Sequence, residues 1–169
     1  DFAPARTVTV TPVKTGKPVV LMDYEGAGCI RRFQTTIGWS ATTADLRQII
    51  IRMYWDGADN PAVEAPLGDF LGMVNGVNYY PMNSRYINLQ FHSISTLFFP
   101  MPFAKSARIE IEAGPGVGDD TNIFWQVDFH RYPAKSLEET MRFHAKFRRE
   151  FPCEAFGRNY TVLDAMGRG

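Results

Sequence analysis

Three carboxylates stand where the chain concentrates its polar chemistry: Asp56, Glu64 and Asp69, within Tyr54-Trp55-Asp56-Gly57 and Pro61-Ala62-Val63-Glu64-Ala65-Pro66-Leu67-Gly68-Asp69. Two carboxyl groups held close together can divide the work of acid and nucleophile in a hydrolysis. Asp56 ends an apolar run behind Trp55, Glu64 lies on the return run, and Asp69 follows Pro66-Leu67-Gly68, where the chain must turn. A hairpin would bring Asp56 towards Glu64, because opposed residues on paired strands lie about 4.5–5.5 Å apart. The same residues have a plainer use: Asp before Gly forms turns, and Glu at a strand edge is normally solvated. On local grounds Trp55, Asp56, Glu64 and Asp69 are therefore the candidates for meeting a polar substrate.

Aromatic side chains are the second resource. Trp55, Tyr79, Tyr80, Tyr86 and Trp125 offer flat faces for a ring ligand, although aromatics supply the largest apolar burial and most belong to a core. Asn75-Gly76-Val77-Asn78-Tyr79-Tyr80-Pro81-Met82-Asn83 reads as a long polar, aromatic loop, the kind that serves as a lid or an interface. Other chemistries find little support. His92, His130 and His144 are too scattered for a metal triad, and Cys29 and Cys153 lack metal spacing, so no metal or cofactor is expected. Gly114-Pro115-Gly116-Val117-Gly118-Asp119-Asp120 has glycines but neither the lysine nor the following helix of a phosphate cradle. Cys29, inside a strand-like run, reads as a small buried hydrophobe.

The elements that must position these residues are strands. Thr7-Val8-Thr9-Val10-Thr11 alternates cleanly, and Pro18–Met22, Cys29–Ile37 and Leu46–Trp55 follow as strand runs separated by Gly-rich turns. Asp56-Gly57-Ala58-Asp59-Asn60-Pro61 clusters turn formers, so Ile49–Trp55 and Ala62–Pro66 read as a hairpin with a longer loop. Runs at Ser95–Phe99, Ala107–Ala113 and Asn122–His130 bring the total to about eight strands, the pattern of an antiparallel β-sandwich or jelly roll. One segment departs from this. Ser136-Leu137-Glu138-Glu139 has the form of a capping box, and predicts a helix over 136–150, stopped by Pro152. On its wheel His144 and Arg148 fall among Met141, Ala145 and Phe151. That places them either as a buried pair satisfied by hydrogen bonds, or facing a substrate or intersubunit cavity.

Composition bounds the answer. The chain has 169 residues, about one domain's worth, of which 45% are hydrophobic and 21% charged. Eighteen Lys and Arg balance eighteen Asp and Glu, which removes the basic footprint of a nucleic-acid binder. No run approaches the roughly 20 apolar residues of a membrane helix. No secretory segment precedes the first strand run, and the compartment stays open between cytoplasm and export. The final Gly167-Arg168-Gly169 reads as a turn between elements, so this single domain is expected to be a piece of a longer protein.

Several strings, in order, resemble the family catalogued as domain of unknown function 2961, now glycoside hydrolase family 172. They are Asp23-Tyr24-Glu25-Gly26-Ala27-Gly28-Cys29-Ile30-Arg31, Tyr54-Trp55-Asp56-Gly57, and Pro61 through Gly72. Pro100-Met101-Pro102-Phe103, Trp125-Gln126-Val127-Asp128-Phe129 and Phe143-His144-Ala145-Lys146-Phe147-Arg148-Arg149-Glu150 complete the set. The resemblance implies two tandem jelly rolls, this chain being the first, assembled as a trimer or a dimer of trimers. It implies action on α-linked furanosides of D-fructose or D-arabinose with retention, carbohydrate being the ligand and no cofactor being needed. It also implies catalytic glutamates in Gly-Glu-Gly-Asp and Gly-Thr-Gly-Thr-Glu-Asp segments beyond Gly169. Neither string occurs here, so no catalytic residue carries over. The other class of function open to one jelly roll is a non-catalytic carbohydrate-binding or assembly protein.

Overall fold

The structure, a computed structural model, describes residues 3–37, 43–73, 81–90, 94–118, 121–153 and 157–166. The Tyr79 and Tyr80 portion of the expected lid loop lies outside the described residues, as does His92.

Two sheets face each other. The larger is built from β1 (Ala3–Pro12), β3 (Gly28–Ile37), β6 (Met82–Asn83), β7 (Ile87–Gln90), β8 (Ile94–Leu97), β9 (Met101–Phe103) and β11 (Asn122–Arg131). Its order is β1-β11-β3-β8-β7-β6, with β9 also paired to β3. The smaller holds β2 (Val19–Glu25), β4 (Ile49–Trp55), β5 (Val63–Pro66), β10 (Ser106–Ala113) and β12 (Ala145–Lys146), in the order β12-β5-β4-β10-β2. Among the described residues every pairing of these strands is antiparallel except the two-residue contact of β12 with β5. Two short helices, α1 (Thr43–Gln48) and α2 (Leu67–Phe70), sit at strand ends. The chain is thus the antiparallel β-sandwich that its alternation predicts, with twelve strands among the described residues rather than about eight because several are only two to four residues long.

Period two explains the packing. In β4, Ile49, Ile51, Met53 and Trp55 are buried while Ile50, Arg52 and Tyr54 face outward, as a pleated strand with one solvated face requires. Ala107, Ile109, Ile111 and Ala113 of β10 do the same beside it, and Phe33, Ile37, Ile123, Val127 and Phe129 supply the opposing layer. Trp55 stacks parallel to Phe103 with ring centroids 6.3 Å apart, and Tyr24 meets Phe103 and Phe129 edge-on. Gly28 is required by this packing, since a Cβ there would lie 2.4 Å from Phe103 Cζ and 3.0 Å from the carbonyl oxygen of His130.

The helix expected over 136–150 is not there. Ser136, Glu138 and Thr140 donate to the carbonyls three residues back, giving successive turns that never lengthen into a helix. From Phe143 the chain is extended, and Ala145 and Phe147 donate their N–H groups to the carbonyls of Ala62, just ahead of β5, and Glu64 on β5, at 3.1 and 3.2 Å. The open edge of β5 competes with the helix for these backbone groups, and the side chains favour the edge. Phe143 and Ala145 pack on the core, while His144 and Arg148, on the alternate positions, are exposed. Their expected burial as a pair is therefore overturned along with the helix. Helical spacing put them on the apolar face, and strand spacing puts them outside.

Candidate functional site

The β4–β5 hairpin forms in the register Arg52↔Glu64 and Met53↔Val63. Asp56 lies beyond the paired region, so it is Arg52 and not Asp56 that opposes Glu64. Trp55 is in the core at 3% exposure, its indole N–H donating to the carbonyl of Phe143 at 2.7 Å. That position takes it out of any sugar-stacking role and makes it structural.

Asp56 begins a tight turn with φ 61°, followed by Gly57 at φ 76°, and the N–H of Ala58 closes onto the carbonyl of Trp55 at 3.1 Å. Two successive left-handed residues suit Asp-Gly. The carboxylate is fully engaged. Oδ1 accepts from the N–H groups of Ala104 and Lys105 at 2.7 and 2.6 Å, and Oδ2 accepts from Arg142 Nε at 2.5 Å. Burial pushes its pKa up, but the hydrogen bonds from Arg142, Lys105 and Ala104 outweigh burial and leave it below the usual value.

Glu64 accepts from Arg52 Nε at 3.0 Å and lies 3.6 Å from Lys146 Nζ. The Arg52 hydrogen bond, with the Lys146 charge behind it, holds its pKa low against partial burial. Asp69, in the first turn of α2, takes Arg47 through both oxygens, at 2.9 and 3.1 Å. Such a bidentate pair fixes geometry as well as charge. The three carboxylates are thus not brought together as an acid–nucleophile pair. Each is tied to its own arginine.

The arginines are the residues that the sequence reading passed over. On the outer face of the smaller sheet Arg52 bridges Glu64 and Glu112, the latter at 2.7 Å, and Arg108 bridges Glu110 and Asp23. Tyr54 adds its hydroxyl to Glu110 at 3.1 Å. Arg52 was legible once the hairpin register was set, because opposite charges on facing strand residues attract. Asp23, Glu25, Tyr54, Arg108 and Glu110 line a groove of about 330 Å³ at one end of this face. A larger groove, about 720 Å³, is lined by Arg142, His144, Lys146 and Arg148, with Leu163 and Met166 along it. His144 and Arg148 therefore do line a cavity wall, though not from a helix.

Trp125 is buried at 4%, its indole N–H 3.2 Å from the hydroxyl of Thr11, whereas Tyr86 is exposed and stacks on Phe99. Among the described residues no group of three His, Cys, Asp or Glu side chains is placed to hold a metal ion. No described helix is long and apolar enough to cross a membrane.

Compared with protein-family models, residues 3–149 match the one described as GH172 first beta-sandwich domain. Compared with the curated proteins, the chain gives no match.

Proposed function

The chain belongs to the glycoside hydrolase family GH172 as its first β-sandwich domain, and from that premise we propose that it is the scaffold and one pocket wall of an enzyme acting on α-linked furanosides. The sugars are D-fructofuranosyl or D-arabinofuranosyl units, cleaved with retention. The observation that carries this reading is the family match over residues 3–149, nearly the whole sandwich.

The state of the carboxylates supports the division of labour. Retaining cleavage uses two carboxyl groups about 5–5.5 Å apart, one of them free to attack and the other to carry a proton. Asp56, Glu64 and Asp69 are instead each tied to an arginine, Arg142, Arg52 and Arg47, and for Asp56 and Glu64 this favours the ionised form. Catalysis then falls to a second jelly roll of the same polypeptide, and assembly to a trimer or dimer of trimers. The exposed apolar side chains Phe151, Val162, Leu163 and Met166 suit a surface that meets that second domain.

The test compares the 1–169 chain with the polypeptide extended through a second jelly roll, both offered aryl α-D-fructofuranoside and aryl α-D-arabinofuranoside. Turnover by the longer protein alone, with product of retained configuration, is the expected result. Failure of the longer protein on either sugar favours a non-catalytic carbohydrate-binding role.

A further inference from the structure

The segment after β11 reaches the smaller sheet through a set of bonds that converge on one side of the β4–β5 hairpin. Trp55 donates to the carbonyl of Phe143, Lys146 Nζ donates to the carbonyl of Pro61 at 2.8 Å, and the N–H groups of Ala145 and Phe147 bind β5. Arg142 closes the approach: its Nη1 donates to the carbonyl of Leu137 at 3.1 Å while its Nε binds Asp56. Of these acceptors Asp56 also holds the turn between β9 and β10. Its Oδ1 fixes the turn between β9 and β10 through Ala104 and Lys105, and its Oδ2 fixes the segment through Arg142.

We infer that residues 137–147 are a strap that opens as a unit, and that Asp56 is the positioning residue that latches it by tying Arg142 to the Ala104–Lys105 turn. The ion pair is mostly shielded, with side-chain exposures of 18% for Arg142 and 22% for Asp56, so solvent screens it less than a surface pair. The bonds of Ala145, Lys146 and Phe147 are made at the edge of a sheet, where backbone pairing is least protected, and the Trp55 indole adds one bond from the core side. Opening uncovers the carbonyls of Ala62 and Glu64, releases the indole of Trp55, and withdraws His144 and Lys146 from the wall of the larger groove. The latch therefore sets the shape of that wall whatever ligand occupies it, and it does not depend on the sugar-cleaving reading.

Hydrogen exchange followed by mass spectrometry on the 169-residue chain tests this, with Asp56→Asn, Arg142→Gln and the double variant beside the parent. The asparagine keeps a carbonyl oxygen for Ala104 and Lys105 but loses the charge facing Arg142. The glutamine releases the strap without touching the turn, which covers the case of an Asp56 variant that fails to fold. Peptides spanning 137–147 are expected to exchange about tenfold faster or more in either single variant, the scale of a lost charge-assisted hydrogen bond. In the parent β3 and β11 should exchange far more slowly than 137–147, and the double variant should add little to either single one, because both remove the same bond. Unchanged exchange over 137–147 in both single variants overturns the latch. So does exchange over 137–147 in the parent that is as slow as that of β3 and β11, which would mean that the segment opens only with the whole sandwich.

Discussion

At the scale of single residues, the carboxylates give the protein its dependence on acid. Asp56 and Glu64 both titrate below their ordinary values in the folded state. The unfolded chain therefore binds protons first as pH falls, and stability drops where it does. The stabilisation is complete above the ordinary carboxylate range and is lost progressively as pH falls below about 4, through the depressed native values. Thermal melts from pH 7 to pH 3 should show the midpoint falling at the acid end, and the fall should be shallower in Asp56→Asn with Glu64→Gln. An identical slope in the variant would mean that Arg142, Arg52 and Lys146 do not hold these groups ionised. A second residue carries a steric requirement. Adding a methyl group at Gly28 drives it into Phe103, so Gly28→Ala should lower stability by about 1–3 kcal/mol through overpacking, read as a lower midpoint in urea.

At the scale of elements, the instructive case is the segment read as a helix and folded as a strap. A proline separates the two states. In a helix interior it costs about 3 kcal/mol or more wherever it falls. On the strap the outcome depends on register: the N–H of Ala145 bonds to Ala62, and neighbouring N–H groups along a strand point to opposite sides. His144→Pro should thus leave the melting temperature near that of the parent, whereas Ala145→Pro should lower it clearly. Equal losses at both positions would contradict the edge pairing. The alternation was in the sequence all along, with Arg142, His144, Lys146 and Arg148 interleaved by Phe143, Ala145 and Phe147. Ser136 and Glu139 outweighed it in the reading because a capping box is a local signal, while the open edge of β5 that rewards the strand lies more than seventy residues away in the chain. The hairpin of β4 and β5 was legible for the converse reason: its turn, its alternation and both its strands are contiguous. Long-range partners such as Arg142 for Asp56 leave no mark in local spacing, so the candidate carboxylates were identified without the cations that decide what they can do.

At the scale of the whole molecule, charge and apolar surface are distributed unequally. Formal charges cancel over the chain, and on the outer face of the smaller sheet they are paired strand to strand, from Lys146 through Glu64 and Arg52 to Glu112, and from Glu110 through Arg108 to Asp23. A paired face of this kind offers little to a partner that recognises bare charge. The apolar surface is elsewhere. Phe151, Val162, Leu163 and Met166 are 80% exposed or more, and all of them follow residue 149, where the match to the first-domain family ends. None of them contributes to the core, so removing them should leave the sandwich intact and change only what it sticks to. The 169-residue chain is accordingly expected to self-associate in light scattering at concentrations where a 1–150 chain stays monomeric, with the two melting within a few degrees of each other. Neither should hydrolyse α-furanosides, since positioning of two free carboxyl groups is what such a reaction needs and the carboxylates here are committed to arginines. Turnover by the 169-residue chain that disappears in Glu64→Gln or Asp69→Asn would return the catalytic pair to this sandwich, and would require Arg52 or Arg47 to release its partner when sugar binds.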